Sequence, residues 1–457
     1  MADFVIMTEA ACTGVGDETT DDALSIFVAA QRYGDAPALI AAHQVLSFQQ
    51  CATLVRDAIA LTPTGATGST SAATVITGEI SIASILAIYA ALARHQPLGL
   101  IHNKLSRAQA QTQQQQIEQA TLTANTAVVV FTSGSTGVPR GVVLSRQALR
   151  AATAMSAAHL DWRADDRWAL ALSPAHVGGL NVVLRCLTAG KPVVLTPTLA
   201  QLGAALQTGA VTLASVVPTQ VQDLLQDPSW HIAPNVRAIL LGGAAAPRPL
   251  VDAARRRHVP LLTTYGASET CGQVATALPD APTCKQGVGV LLPGVQVQAG
   301  TALAPDAIVV RTPALFDGYL DEDRTIPRTV FTTSDLGYLA DDGSLIVLGR
   351  SDDVIITGGE NVHPAAVEQV LLTTPGVVSA VVFGVDDSRW GRCIGAAIVV
   401  NANFDARQAY ATWRAELAPF QRPRTLAIVP ALPRTASGKL HRAAAAALAG
   451  QPIDYGK

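Results

Sequence analysis

Residues 131–141 read FTSGSTGVPRG and follow the apolar run AVVV at 127–130. The glycines fall at 134, 137 and 141, which is not the GxxxxGK[ST] spacing of a Walker loop. The chemistry still suits an anion. Gly134 and Gly137 let backbone N–H groups approach without side-chain obstruction. Thr132, Ser133, Ser135 and Thr136 add hydroxyl donors, Arg140 adds charge and Pro139 stiffens the turn. The stretch is read as a polyphosphate clamp, with an ordinary polar strand–helix connection as the alternative.

Working outward, short apolar runs alternate with helical patterns on the C-terminal side. WALALS, KPVVLT, LASVVP, VRAILLGG and PLLTTYG are strands; SRQALRAATAMSAAHL, with Ser145 as N-cap, and GLNVVLRCLTAG, ending at a glycine, are helices. This pattern predicts parallel α/β layers. Residues 287–349 are richer in turns and predict a smaller β unit. Upstream, 1–60 mix helical and strand patterns, 62–73 form a small-residue loop, ATVITGEI is a strand and 109–119 a polar surface helix or loop. SIASILAIYAALA is apolar but too short to span a bilayer comfortably and reads as a buried helix. The character changes near residue 351. Beyond it a compact α+β unit is expected, with helices at 364–373, 406–417 and 439–449. The domains are therefore 1–350 and 351–457.

The 457 residues carry 49% apolar and 15% charged side chains, which suits a globular chain. A net charge of −3 argues against nucleic acid as a partner. Six scattered cysteines show no metal spacing and read as reduced thiols. No basic n-region precedes an apolar stretch, so a cytoplasmic chain is expected. Of 32 basic residues only five are lysines.

Three further stretches accompany the loop: TTYGASET (263–270), TSDLGYLADDGSLIVLGRSDD (333–353) and PRTASGKLHR (433–442). In this order the four resemble the adenylate-forming superfamily of acyl-CoA synthetases, luciferases and carrier-loading adenylation domains, over the whole chain from about residue 30. The resemblance implies a large α/β domain with layered sheets and a small α+β domain that rotates. It implies ATP, Mg2+ and coenzyme A as cofactor and co-substrates. Members first join a carboxylate to the α-phosphate of ATP, releasing pyrophosphate. They then pass the acyl group to a thiol, releasing AMP.

The site residues follow from the resemblance. The glycine-rich loop would hold the β- and γ-phosphates; its usual lysine is here Arg140, in keeping with this chain's preference for arginine. Gly243, Ala244 and Ala245 would line the adenine slot. Tyr265 would stack on adenine, with Gly266 beside it, and Ser268 would bond the α-phosphate where threonine is usual. Glu269 would hold Mg2+. Asp335 would accept from the ribose hydroxyls and Arg350 would add a donor there, unless the two simply pair with each other. Asp352 matches the hinge. Gly358 and Gly359 would let the pantetheine arm pass. Lys439 would bridge the attacking carboxylate and the α-phosphate.

The segment ALSPAHVGGLNVVLRCLTAG (171–190) would open the acyl pocket, with His176 next to the reacting carboxylate and Gly178 and Gly179 leaving space for substrate. The stretches YGASETCGQVAT (265–276), LLGGAAAPRPLV (240–251), SDDVIITGGENVHPAAVEQVL (351–371) and HVGGLNVVLRCL (176–187) most closely resemble the o-succinylbenzoate–CoA ligases of menaquinone biosynthesis, whose acid carries a second carboxylate on its ring. Arg185, a cation in an apolar helix, would meet that carboxylate. The competing reading is a buried ion pair with Asp161 or Asp166. A non-catalytic relative is disfavoured because all the expected charged groups are present. A benzoate-type CoA ligase and a free-standing enzyme loading a carrier protein stay open. So does a homo-oligomer.

Overall fold

The computed structural model describes residues 22–61, 73–132, 139–278, 287–324, 326–435, 440–448 and 450–455. Among these, the largest sheet has nine strands. Its centre is parallel, in the spatial order Leu261–Ala267, Ala238–Leu241, Leu213–Val216, Trp168–Leu170, Val193–Leu195 and Pro37–Ala41. The inner strands of this set are short and mostly apolar because both faces are covered, whereas Leu261–Ala267 turns polar and open toward its C-terminal end. Antiparallel strands close each end, Gly272–Thr276 beyond one edge and Gln44–Ser47 beyond the other.

A second, five-stranded sheet carries the opening stretch. Strand Thr126–Thr132 pairs antiparallel with Arg140–Ser145, and Thr132 lies opposite Arg140. The loop at 131–141 therefore joins two antiparallel strands. Neither a Walker loop nor the strand–helix connection weighed from the sequence applies, since both would run from a strand into a helix. A third, antiparallel sheet of four strands spans Gln296–Gln298 to Leu345–Arg350 and supplies the expected β unit.

Local signals account for the helices. Ser145 accepts from the Ala148 N–H at the start of helix Arg146–Leu160. Such a cap is worth about 1 kcal/mol. Helix Val177–Ala189 ends at Gly190, which adopts φ +64 and returns its N–H to the Cys186 carbonyl. The apolar segment 81–93 is helix Ile82–Ala93, largely buried. No described helix is long and apolar enough to cross a membrane.

The C-terminal unit has its own four-stranded sheet, from Val377–Asp387 to Gln451–Pro452, and its own core around the fully buried Trp413. The Trp413 indole N–H donates to Thr374 Oγ1 at 2.8 Å. The helix expected at 439–449 is reduced to Arg442–Ala445. Gly450 and strand Gln451–Pro452 follow, and the strand adds to the sheet edge beside Thr425–Ile428. Arg442 fixes this short helix through Glu368, the Val382 carbonyl and Asp353, the last at 3.5 Å.

Candidate active site

The parallel strands Ala238–Leu241 and Leu261–Ala267 run side by side. The segments leaving their C-terminal ends hold two of the nucleotide motifs, the position at which open α/β sheets bind ligands. Gly243, Ala244 and Ala245 follow the first strand and are exposed, with Gly243 at φ +79. The second strand carries Tyr265 and the exposed Gly266. A Cβ on Gly266 would lie 1.5 Å from the Gly272 carbonyl oxygen, so only glycine fits this hairpin. Ser268 and Glu269 sit in the 3-10 turn Ser268–Thr270 between the hairpin strands. Cys271 closes that turn at φ +48 and is fully buried. Burial first, and then Asp317, pushes its thiol well above the ordinary range.

Two tyrosines hold the two candidate carboxylates. Tyr265 donates its hydroxyl to Asp335 Oδ2 at 2.7 Å. Tyr319 donates to Glu269 Oε1 at 2.8 Å. Burial, reinforced by the neighbouring carboxylate in each case, keeps both phenols protonated well beyond their usual range, so both act as donors. Asp335 and Arg350 lie opposite each other on adjacent strands, with their charged ends 4.0 Å apart. The guanidinium is shared. Its Nε and Nη2 form a fork with Asp352, both at 2.8 Å. The expected ribose pair and the expected hinge are thus one cluster.

Arg140 is held on acids. Its Nη2 lies 3.2 Å from Asp321 and 3.2 Å from Glu322, and its guanidinium stacks 3.5 Å over the Tyr319 ring. Nothing in the motif spacing singles out Tyr319, Asp321 or Glu322. The only sequence signal is an aromatic residue flanked by glycine and acids in FDGYLDE. Ser133, Gly134, Ser135, Thr136 and Gly137 of the loop, and Lys439, lie outside the described residues.

In the segment expected to open the acyl pocket, His176 is the N-cap residue of helix Val177–Ala189 and packs against His102, ring centroids 4.9 Å apart and planes tilted by 44°. Burial, and then Lys104, holds His102 below the usual imidazole range. Gly178 and Gly179, expected to leave space for substrate, also pack closely on the preceding loop. A Cβ on Gly179 would stand 2.3 Å from the carbonyl oxygens of Leu172 and Ser173, and one on Gly178 3.1 Å from the Leu172 side chain. Close packing of the helix start on the preceding loop by itself requires glycine at 179.

Asn181, Arg185 and Thr188 share one face of this otherwise apolar helix. The Asn181 amide donates to the Cys271 carbonyl at 2.7 Å, which turns that face toward the Glu269 turn. Arg185 is 4% exposed, with its guanidinium 5.4 Å from the Trp168 ring centroid. The ion pair expected with Asp161 or Asp166 does not form. Asp166 is taken by Arg237, at 2.8 and 2.6 Å, and the Asp161 carbonyl also accepts from Arg237. No described carboxylate lies within ion-pair distance of Arg185, and its buried Nε has no described hydrogen-bond partner. Burial pushes the Arg185 guanidinium down to about 10.

Gly358 and Gly359 form the turn of hairpin Ile355–Thr357/Glu360–Val362, both at positive φ. A Cβ on Gly358 would press on the Trp390 ring at 2.6 Å, whereas Gly359 faces open space.

The described residues contain no cluster of three or more His, Cys, Asp or Glu able to hold a metal. A lone carboxylate such as Glu269 fits Mg2+, which takes one or two carboxylates and completes its shell with phosphates and water.

Comparison with known proteins adds independent findings. Residues 70–320 match the family model of the AMP-binding enzymes, and residues 366–439 match that of the AMP-binding enzyme C-terminal domain. A 2-succinylbenzoate–CoA ligase from Bacillus cereus is 35% identical over 328 residues, covering 69% of this chain and 68% of that protein. One from Bacillus velezensis is 35% identical over 331 residues, covering 70% and 68%. Among solved structures, o-succinylbenzoate CoA synthetase from Bacillus subtilis in complex with its acyl-adenylate intermediate superposes with a TM-score of 0.82. It has 26% identity and covers 94% of this chain and 99% of that one. ATP-bound MatB from Rhodopseudomonas palustris, at 21% identity and a TM-score of 0.79, shares the fold.

Proposed function

Because the chain belongs to the AMP-binding enzyme family, we propose that it is an AMP-forming ligase that activates o-succinylbenzoate as its acyl-adenylate and transfers the acyl group to coenzyme A. The observation that carries the choice of acid is Arg185, a buried guanidinium without a described acidic partner, on the helix face turned toward the Glu269 turn. A cation in such a place needs an anion. A dicarboxylic acid supplies one while offering its other carboxylate for activation. A plain benzoate would leave the charge uncompensated.

In the first half-reaction the succinyl carboxylate oxygen attacks the α-phosphorus, and the bond to the bridging oxygen of pyrophosphate breaks. Tyr265 and the 243–245 segment hold the adenine, Asp335 and Arg350 the ribose, and Ser268 the α-phosphate. Loop 132–137 and Arg140 hold the departing pyrophosphate, and His176 lines the approach of the carboxylate. A guanidinium carries five N–H donors, of which the acid contacts of Arg140 use Nη2, so a phosphate can share the group. Mg2+ at Glu269 would neutralise charge on the triphosphate. Lys439 brings a mobile positive charge between two anions that must meet.

In the second half-reaction the thiol of coenzyme A attacks the acyl carbon and AMP leaves. The boundary lies between Arg350, which ends the last strand of the large domain, and Asp352. The separate core around Trp413 suits a unit that turns as a body about that point. Turning would replace Lys439 by the hairpin at Gly358 and Gly359. We infer a cytoplasmic location, where ATP and coenzyme A are both available.

The test is a product analysis with ATP, Mg2+, coenzyme A and o-succinylbenzoate. AMP, pyrophosphate and a thioester are expected; ADP with orthophosphate would exclude the adenylate route. Preference for plain benzoates, or acylation of a carrier protein without reaction on coenzyme A, would select one of the other readings. Lys439→Ala should abolish most pyrophosphate release yet still convert presynthesised acyl-adenylate to thioester. Asp352→Pro should do the reverse, because a fixed φ blocks the turn.

A further inference from the structure

We infer that Tyr319 is a positioning residue that holds the Glu269 carboxylate in register with Arg140. The inference rests on the reading of Glu269 as the Mg2+ carboxylate and Arg140 as a phosphate contact, and it explains how two groups far apart in sequence are kept in step.

The backbone comes first. Strand Gly318–Tyr319 lies on the edge of the five-stranded sheet, antiparallel to Arg140–Ser145, with Tyr319 opposite Val142. The Leu320 N–H donates to the Gly141 carbonyl at 2.8 Å and the Asp317 N–H to the Val143 carbonyl at 2.9 Å. A Cβ on Gly141 would meet the Leu320 side chain at 2.3 Å, so the last glycine of the opening stretch serves this contact. On the other side, the Phe316 N–H donates to the Glu269 carbonyl at 2.9 Å. One short segment is therefore bonded to both the strand that begins with Arg140 and the turn that carries Glu269.

The Tyr319 side chain makes the same connection. Its hydroxyl donates to Glu269 Oε1 at 2.8 Å, and its ring carries the Arg140 guanidinium at 3.5 Å. Phe316 meets the ring edge-on at 5.0 Å. Glu322, which accepts from Arg140, also accepts from the Tyr319 N–H at 3.1 Å and pairs with Arg328 at 2.5 Å. A hydroxyl fixed on one oxygen limits rotation of the carboxylate and leaves its other oxygen for a hard cation. A planar guanidinium can lie flat on the ring while its edge reaches Asp321 and Glu322; an ammonium cannot do both. This geometry suits an arginine at position 140.

The alternative is that Tyr319 only packs an edge strand. Tyr319→Phe separates the two, because it keeps the ring and removes the hydroxyl. The measurement is equilibrium binding of ATP by calorimetry over a series of Mg2+ concentrations, alongside pyrophosphate release and the unfolding midpoint. A lost hydrogen bond to a charged group should raise the half-saturating Mg2+ concentration roughly tenfold. Pyrophosphate release should recover at high Mg2+, with the midpoint unmoved. Tyr319→Leu, which also removes the platform for Arg140, should in addition raise KM for ATP in a way that Mg2+ does not restore. Weakening that is equal at every Mg2+ concentration would mark a packing role and overturn the inference. Glu269→Gln is the control. If it shifts the Mg2+ dependence and Tyr319→Phe does not, this inference falls alone. If Glu269→Gln shifts nothing, the reading of Glu269 falls and takes the inference with it.

Discussion

Arg237 and Arg185 are both largely removed from water, and they sit in opposite circumstances. Arg237 grips Asp166 through two nitrogens and also donates to the carbonyls of Leu160 and Asp161. Asp166 in turn accepts from Thr212 Oγ1 and from the Arg163 N–H. Every part of that cluster lies within the fold, and it ties strands and loops together. Arg185 has an aromatic face and a hydrophobic wall but no described acid. Burying a charge is costly unless it is compensated. The contrast separates an arginine that holds the chain together from one that the proposed function assigns to the second carboxylate of the acid.

The largest effect should come from breaking the complete cluster. Arg237→Ala leaves Asp166 buried and unpaired and should cost about 3–5 kcal/mol of stability. Denaturant unfolding would show it, while the folded fraction keeps its preference among acids. A loss of preference with stability intact would reverse the roles given to the two arginines.

Next comes Arg185→Ala, which should lower kcat/KM for o-succinylbenzoate by about 2–4 kcal/mol, roughly 30- to 1,000-fold. An analogue lacking the ring carboxylate should be used no worse than by the parent. Arg185→Lys should recover only part, since a point charge replaces a planar fork. Equal losses on both acids would return Arg185 to a structural role.

A smaller effect of opposite sign sharpens the contrast. Arg185→Met removes a buried charge at similar volume and should stabilise the free protein by about 1–2 kcal/mol. The same change at Arg237 should destabilise. The smallest effect is in pH. Burial alone would raise the Asp166 carboxyl, but the bonds from Arg237, Arg163 and Thr212 outweigh it and hold it below its ordinary 3.8. A depressed carboxyl contributes stability that is fully present above the unfolded value and lost as pH falls through the folded one. The advantage of the parent over Asp166→Asn should therefore shrink only below about pH 4. Stability curves of the two proteins that run parallel through that range would remove the pair from the account.

Much of this was legible in the residues, and the limits are physical. Apolar runs between helical patterns gave the parallel layers, because a doubly covered strand must be apolar along its whole length. Motif order located Tyr265, Asp335 and Arg350, which the fold brings into one cluster. Competition in three dimensions was not legible. Asp166 looked available to Arg185 only because the sequence does not say that Arg237 reaches it first. The packing role of Gly179 was not legible either, because a glycine required by a carbonyl contact is indistinguishable in sequence from one required by a substrate. The helix at 439–449 was overextended because a helical composition does not reveal the strand Gln451–Pro452 that adds to the sheet edge. Tyr319 carried no periodic signal at all, since its partner Glu269 lies in a different part of the chain.

The buried thiol at the end of the Glu269 turn bears on chemoselectivity. An acyl-adenylate is a mixed anhydride that acylates any available thiolate, and the reaction requires that the thiolate be that of coenzyme A. Cys271 is two residues from Glu269, yet it has no exposed surface and its proton is held far more tightly than that of a free cysteine. Cys51, Cys186 and Cys393 are likewise buried, with thiols pushed up by burial. Since the thiolate is the nucleophile, these four side chains cannot compete for the activated acyl group. At these four described positions the fold guards its own intermediate from self-acylation by keeping the sulfur protonated and out of reach.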